Sequence, residues 1–423
     1  MPRSILATVL AAAALAALAA PASASRYARY GIQDDGWLLY GPGTLAQRLD
    51  TLDNLGVRIV RVTIRWDKIA PTKPANQRDP YDTAYRWNAY DLALRGLHAR
   101  HITPLVTIWG SPRWTNGGHP ANWLPRYGLG NFAYAAAKRF PWVRLWTIWN
   151  EPNKRQFSYP VSAKLYTRRL LNPAYALLHV ANPHNKVAGG VTSPRNTRGG
   201  IAPTVFMAGM RRYHAHLDAY AQNPYPGSPN ESPFHDPCSW CRTLTMARLP
   251  QIRADVTRLF GRKPLWLTEY GYQTDPPDPF SGVSPQLQAR YVGRAALRVY
   301  RQAGVTILIH FLIQDEPSLG GWQSGLITIG GAEKPSYRAF GLPLAQVSRR
   351  GRRTVLWGQV RPGAGRRRYV LQRWNGRHWV HVGSARRTNP RGDFRRVIRA
   401  RPGEKLRVWT PIVGYSSPLM RVT

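Results

Sequence analysis

The sequence predicts a (β/α)8 barrel followed by a small all-β sandwich. Three observations lead there. Between residues 30 and 346, short apolar runs alternate with helical patterns eight times, the rhythm of parallel strands joined by right-handed crossovers, and eight such units close a barrel. The rival architecture, an open doubly wound sheet, calls for a glycine-rich phosphate loop after the first strand, and none is present. From Ser348 helical patterning stops, and short alternating runs such as Thr354 to Val360, Tyr369 to Arg373 and Trp379 to Val382 follow one another across Gly, Pro and Asn turns.

Taken in order, Tyr30 to Gln33 reads as the first strand. Leu45, Leu49, Leu52 and Leu55 recur at helical spacing and stop at Gly56. The β-branched run Val57 to Ile64 is the second strand, Tyr90 to Arg100 a helix, and Pro104 to Trp109 the third strand. A helix over Phe132 to Phe140 leads to a fourth strand, Trp142 to Trp149. Lys164 to Ala181 is a long amphipathic helix, Lys186 to Thr192 the fifth strand and Pro203 to Tyr213 a helix. Leu217 to Gln222 is the sixth strand and Leu244 to Phe260 a helix. The seventh strand, Pro264 to Thr268, runs into Glu269. Pro285 to Gln302 is helical, Val305 to Leu312 is the eighth strand, and a helix over Lys334 to Gln346 closes the barrel.

Ahead of this lies Arg3, an Ala-rich apolar run from Ile5 to Ala20, and the small-residue triplet Ala22-Ser23-Ala24. Residues 1–24 therefore read as a secretory leader; the apolar run is weaker and shorter than the ~20 residues a membrane span needs. The expected organisation is a leader (1–24), a catalytic barrel (25–346) and a β-sandwich (347–423) in an exported, monomeric protein without a membrane span. The only cysteines, Cys238 and Cys241, have no second pair with which to complete a zinc site. Export makes them a small-loop disulfide.

Two strand runs end in a carboxylate. Trp146-Thr147-Ile148-Trp149 leads into Asn150-Glu151-Pro152, and 118 residues later Leu265-Trp266-Leu267-Thr268 leads into Glu269-Tyr270-Gly271. The carboxyl ends of barrel strands carry the chemistry of this fold, and a pair of carboxylates is what glycoside hydrolysis requires. At retaining separation, ~5 Å, one carboxylate attacks the anomeric carbon and the other gives and then takes a proton.

These motifs resemble those of the retaining glycoside hydrolases of clan A, barrels with catalytic Glu on strands four and seven, and most nearly families 5 and 39. Arg61 in Val60-Arg61-Val62, the run Ile64 to Pro71, Trp87 to Asp91, Ser111 to Trp114 and Lys334 to Tyr337 fit the same pattern, so that the resemblance covers roughly residues 28 to 345. It implies a β-glycosidase acting on a poly- or oligosaccharide, with Glu269 as the expected nucleophile and Glu151 as the expected acid/base. Asn150 would bond the sugar 2-hydroxyl, Tyr225 would position Glu269, and Arg61 would favour its ionised form. There are departures. Asn223-Pro224-Tyr225 stands where relatives often have His-Pro-Tyr, and Asn223 keeps a hydrogen-bonding group but does not titrate. After the eighth strand an aromatic sugar platform is usual; here Phe311 or Trp322 would serve. Among the 16 Trp, Trp66, Trp109, Trp114, Trp240 and Trp322 fall at strand-end loops, where stacking on sugar faces competes with core packing. The expected substrate-binding set is Arg61, Trp66, Trp109, Asn150, Asn223, Tyr225, Phe311 and Trp322. The mechanism needs no metal or cofactor, and His98, His101 and His119 lack ligand spacing.

Two functions from other classes compete: a decayed enzyme that binds glycan, which has no need of both carboxylates, and a transglycosylase using the same residues. The formal charge of +39 is extreme, and only 9 of the 60 basic residues are Lys. Residues 346–423 hold 20 Arg or Lys against Asp393 and Glu404 alone. That suits contact with an anionic glycan or cell surface, although compositional bias toward solvated Arg is the preferred explanation. Nothing resembles a nucleic-acid-binding motif.

Overall fold

A computed structural model describes residues 28–238, 240–241 and 243–423; the leader expected over 1–24 lies outside the described residues. Eight parallel strands close a barrel in sequence order: β1 (Arg29–Gln33), β2 (Ile59–Arg65), β3 (Thr103–Trp109), β4 (Leu145–Ile148), β5 (Lys186–Thr192), β6 (Ala219–Gln222), β7 (Leu265–Tyr270) and β8 (Val305–Phe311). β8 returns to β1, from Arg29 opposite Ile307 to Gln33 opposite Phe311. The alternation of strand side chains divides the apolar residues in two. Ile59, Leu105, Leu145, Ala188, Ala219 and Ile307 form a cluster of their own, the filling of the barrel. Val60, Val62, Ile64, Val106, Trp146 and Leu267 belong to the larger core shared with the helices.

The crossover helices are α1 (Leu45–Asn54), α2 (Asn88–Ala99), α3 (Leu129–Arg139), α4 (Asn172–Ala181), α5 (Pro203–Arg212), α6 (Leu249–Phe260), α7 (Pro285–Tyr300) and α8 (Pro335–Gly341). Their starts are written in the sequence. Thr44 and Gln47 form a capping box ahead of α1, Ser284 caps α7, and Pro opens α5, α7 and α8. A π-helical turn, Tyr166–Leu171, precedes α4. It aims the Tyr166 hydroxyl between β4 and β5, where it donates to the carbonyl of Ile148 (3.0 Å) and accepts from the Gly190 amide (3.0 Å). Among the described residues no helix is long and apolar enough to cross a membrane.

The closing helix is shorter than its pattern suggested. It ends at Gly341, and the stretch expected to stay helical to Gln346 instead enters a strand at Leu344. Leu342 precedes Pro343, whose ring disfavours the helical conformation of the residue before it, and Leu342 sits at φ −128°, ψ 65°. The C-terminal sheets therefore begin ahead of the expected boundary at 346/347. One sheet runs β14 (Asp393–Arg399), β10 (Arg353–Gln359), β9 (Leu344–Arg350). The other runs β12 (Trp379–His381), β11 (Arg368–Trp374), β15 (Lys405–Trp409), β16 (Met420–Arg421), with β13 (Arg386–Arg387) on β11. Leu356, Tyr369, Leu371, Phe394, Ile398, Leu406 and Val408 fill the space between them.

On β10 the alternation faces two ways. Leu356 belongs to the sandwich core, while Trp357 belongs to the barrel's core and packs on Tyr300 at 5.1 Å. Arg361 lies over the rings of Tyr30 (4.1 Å) and Phe340 (4.5 Å). Gly56, at φ +81°, lies so close to Arg361 that a Cβ would fall 2.4 Å from its carbonyl carbon, so only glycine fits that approach. The two modules are docked, not strung on a linker.

Candidate active site

The strand alternation that fills the barrel also builds its mouth. Arg61 lies two residues beyond Ile59, Thr107 two beyond Leu105 and Thr147 two beyond Leu145, so all three point inward above the apolar layer. All three are fully buried. Thr107 and Thr147 share a hydrogen bond of 2.6 Å, and Arg61 Nε donates to Thr107 Oγ1 at 2.8 Å. The guanidinium then fans out. Nη1 donates to Gln33 Oε1 (2.6 Å) and to Glu269 Oε1, and Nη2 donates to Asn150 Oδ1 (3.0 Å). A planar guanidinium on a rigid strand is suited to this, since several donors leave it at fixed angles. Gln33 is held in turn by Asp35 (3.0 Å), whose other oxygen accepts from the Thr63 amide (2.7 Å).

Glu269 reaches this network through a bulge. Trp266 and Thr268 face inward, so regular alternation would turn Glu269 toward the helices. Leu267 pairs with Leu308 and Tyr270 with His310, which leaves β7 one residue longer than β8 over that interval. The extra residue lets Thr268 and Glu269 both face the mouth, while Tyr270 returns to the core beside Tyr272 (5.7 Å). Bulges re-aim side chains in this way beside active sites. Glu269 Oε2 accepts from the Tyr225 hydroxyl at 3.1 Å.

Glu151 stands three residues past the end of β4 on a strained turn. Trp149 and Glu151 have φ of +71° and +39°, and Val191 at the end of β5 has +49°, conformations that non-glycine residues adopt only when the surroundings enforce them. The enforcement is visible. The Trp149 amide donates to Ile108 O (2.8 Å) and the Glu151 amide to Val191 O (3.0 Å). Asn153 accepts from the Ser193 amide (2.9 Å) and donates to Ile201 O (3.1 Å). Glu151 Oε1 accepts from Asn223 Nδ2 at 3.2 Å, and Asn223 Oδ1 accepts from Thr268 Oγ1 at 2.7 Å. Glu151 Oε2 lies 3.0 Å from Lys154 Nζ.

The two carboxylates thus have different surroundings. Glu269 has a guanidinium on one oxygen and a phenol on the other. Glu151 is 4% exposed, and burial holds its carboxyl above the usual range; Lys154 pulls the other way, and the charge of Glu269 adds to the rise. Burial and the same two carboxylates push the Tyr225 hydroxyl well above its usual range, so Tyr225 stays a proton donor.

A cleft of about 630 Å³ opens beside Asn150, bounded by Gln33, Asp35, Tyr40, Arg65, Tyr90, Trp109 and Phe157. Trp109 is part of this wall; its Nε1 donates to Phe157 O (3.3 Å), and Arg65 lies 4.6 Å over its ring. On the other side of Glu269, Trp322 packs on Tyr225 at 4.7 Å and edge-on against Phe311 at 5.7 Å, and it is 38% exposed. Both aromatic residues expected after the eighth strand lie beside Tyr225, the hydrogen-bond partner of Glu269.

Three expectations need correcting. Trp66 does not reach the cleft: it begins a short helix (Trp66–Ile69) whose buried face it shares with Ile69, and it is 1% exposed, stacked on Phe132 (5.5 Å) and edge-on to Trp114 (5.8 Å). Arg61 and Asn223, expected among the substrate contacts, are fully buried with their polar atoms already engaged, so they act on the two carboxylates. Cys238 and Cys241 are joined by a disulfide. Beside it Trp240 is 82% exposed. Lys154 was overlooked, although its place three residues after Glu151 was readable. The bulge that turns Glu269 was not, since register belongs to the strand pair. Among the described residues no group of His, Cys, Asp or Glu could hold a metal. The larger cavity at the module junction, about 690 Å³ between α7, α8 and residues 417–421, has no carboxylate in its wall.

No protein-family model and no curated protein matches this sequence. Solved structures do match. A family 39 glycoside hydrolase from the gut symbiont Bacteroides cellulosilyticus WH2 is similar with a TM-score of 0.60 over 90% of this chain and 82% of that one, at 15% identity. A glucosidase from Croceicoccus marinus gives 0.59 over 90% and 94%, at 14% identity, and a monomeric β-xylosidase from Caulobacter crescentus CB15 gives 0.57 over 89% and 94%, at 16% identity. These spans run past the barrel into the C-terminal sheets, and the chain has the fold of these glycoside hydrolases.

Proposed function

We propose that this protein is a secreted, retaining β-glycoside hydrolase that cleaves O-glycosidic bonds of a poly- or oligosaccharide by double displacement. The observation that carries the reading is the unequal pair at the barrel mouth: one carboxylate held between a guanidinium and a phenol, the other buried and holding its proton more tightly than usual. Two carboxyl groups held in such different environments suit separate roles. The shared fold supports the same reading.

In the first step Glu269 attacks the anomeric carbon while Glu151 passes its proton to the glycosidic oxygen. The carbon–oxygen bond breaks, the leaving sugar departs as an alcohol, and a glycosyl ester remains on Glu269. The negative charge of Glu269 is then gone, so the carboxyl of Glu151 loses one of the influences that raised it. Ionised Glu151 takes a proton from water, the water oxygen bonds to the anomeric carbon, and Glu269 leaves as carboxylate. Arg61 and Tyr225 hold the two oxygens of Glu269 throughout. Asn150, oriented by Arg61 (3.0 Å) at the edge of the cleft, is placed for the 2-hydroxyl, where contacts tighten in the transition state. Phe311 and Trp322 supply the apolar surface for a sugar face. Export belongs to the same proposal, supported by the leader pattern and by the disulfide.

The test is covalent trapping with 2-fluoro-glycosyl fluorides, beginning with xylosyl and glucosyl, the sugars named for two of the similar structures. Peptide mapping should find the adduct on Glu269. First-formed product of inverted configuration by NMR would refute the mechanism.

A further inference from the structure

The proposed mechanism leaves Lys154 unused, and its position conflicts with one step. Asn223 Nδ2 donates to one oxygen of Glu151 (3.2 Å), and Lys154 Nζ lies 3.0 Å from the other. Both oxygens thus face N–H donors, an arrangement that suits an ionised carboxylate. An ammonium 3.0 Å from Oε2 favours the ionised carboxyl, so Glu151 holds a proton for delivery more readily once that partner has withdrawn. Asn223 is fully buried and pinned by Thr268 at 2.7 Å. Lys154 has a flexible stem, its side chain is 22% exposed, and among the described residues its Nζ has no second acceptor. Lys154 is the partner that can move.

Its destination follows from the chemistry. An acid delivers its proton across about 2.6–3.2 Å to the leaving oxygen, and Nζ lies 3.0 Å from the same carboxyl oxygen. The first residue of the leaving group is therefore within reach of the ammonium. The surroundings are basic. Arg155 and Arg198, on the loops after β4 and β5, are exposed and form no ion pair among the described residues, and Arg155 packs against Gly199. The other ionisable groups that face Glu151 are Glu269 from β7, Tyr225 from the end of β6 and Arg195 from the β5 loop. Arg195 is occupied by the Tyr225 carbonyl (3.3 Å).

We propose that Lys154 reads a negatively charged leaving group: the substrate bears an oxyanion, carboxylate or sulfate, on the sugar released in the first step, and this anion draws Nζ off Glu151 and frees it to carry the proton. The proposal rests on the glycosidase reading and adds the substrate class to it. Recognition and catalysis are then coupled, since a neutral leaving group leaves the lysine where it favours the ionised carboxyl and weakens the acid.

The experiment uses aryl β-glycosides of whichever sugar the wild-type protein turns over, with weakly acidic phenol leaving groups without a nitro group, whose departure depends on the proton from Glu151, matched in acidity and bearing a carboxylate, a sulfonate or a neutral carboxamide. Wild type should favour an anionic member by about tenfold or more in kcat/KM, the size of one charge-assisted hydrogen bond, and the better of the two anions distinguishes an acidic sugar from a sulfated one. In Lys154→Met the preference should fall to near unity. With the neutral substrate, the alkaline limb of its pH profile should rise by about one unit or more, because a cation at this range favours the ionised carboxyl. Lys154→Arg should restore the preference. A merely structural lysine would slow all three substrates alike and leave the limb in place. Equal rates on charged and neutral substrates in wild type, or an unchanged preference in Lys154→Met, would overturn the proposal alone. No turnover of any glycoside together with no adduct on Glu269 would overturn the glycosidase reading as well.

Discussion

Tyr225→Phe isolates one hydrogen bond to Glu269, the proposed nucleophile. The hydroxyl donates to Glu269 Oε2 at 3.1 Å, that oxygen's one hydrogen bond among the described residues. The ring also packs on Trp322 at 4.7 Å and Phe311 at 6.3 Å, and phenylalanine keeps those contacts. A hydrogen bond to a charged group is worth about 1.5–3 kcal/mol, which converts to about 10- to 150-fold in rate. The expected result is a fall of that size in kcat/KM for an aryl glycoside, with the thermal midpoint moving by only a few degrees, since roughly 1 kcal/mol shifts a domain of this kind by about 2–4 °C. A variant within twofold of wild type would refute the positioning role of Tyr225 and weaken the assignment of Glu269. A large drop in both rate and thermal midpoint would instead mean that the hydroxyl supports the fold.

Other expectations can be checked on the same preparations. Glu269→Ala should lose roughly 10⁴-fold or more in rate, and near-normal turnover would remove Glu269 from the mechanism. Glu151→Ala should retain activity on substrates with good leaving groups, with azide accelerating it; an azide-insensitive variant counts against the acid/base role. His310 is 6% exposed and bonded to Ser324 O at 3.0 Å, and burial lowers its pKa to about 4. Its folded value lies below its unfolded one, so its contribution is complete above about pH 6.5 and is lost as pH falls toward 4. Denaturant melts of His310→Gln should show a shallower loss of stability across that window than wild type; parallel curves would contradict the buried neutral state. Trp357→Ala empties a site that is 1% exposed and packed on Tyr300, so it should destabilise by about 3–5 kcal/mol and speed proteolysis at the junction; an unchanged melt would mean the modules are not held by this contact.

The sequence determined the barrel and the identity of its two carboxylates. Eight apolar runs with helices between them leave little choice of architecture, and a strand that stops at Asn150-Glu151-Pro152 or runs into Glu269-Tyr270-Gly271 announces its carboxyl end locally. The tertiary structure decided how those carboxylates are aimed and which neighbours touch them. Glu269 faces the mouth because β7 carries a bulge against β8, and register belongs to the pair of strands. Trp66 and Trp109 looked alike as aromatics at strand ends, yet Phe132 from α3 buries the first while the second stays in the cleft wall. Periodicity fixes which face of an element a residue occupies. What lies opposite that face, as with Trp357 on the barrel side of β10 or Lys154 against Glu151, is settled only when distant segments pack.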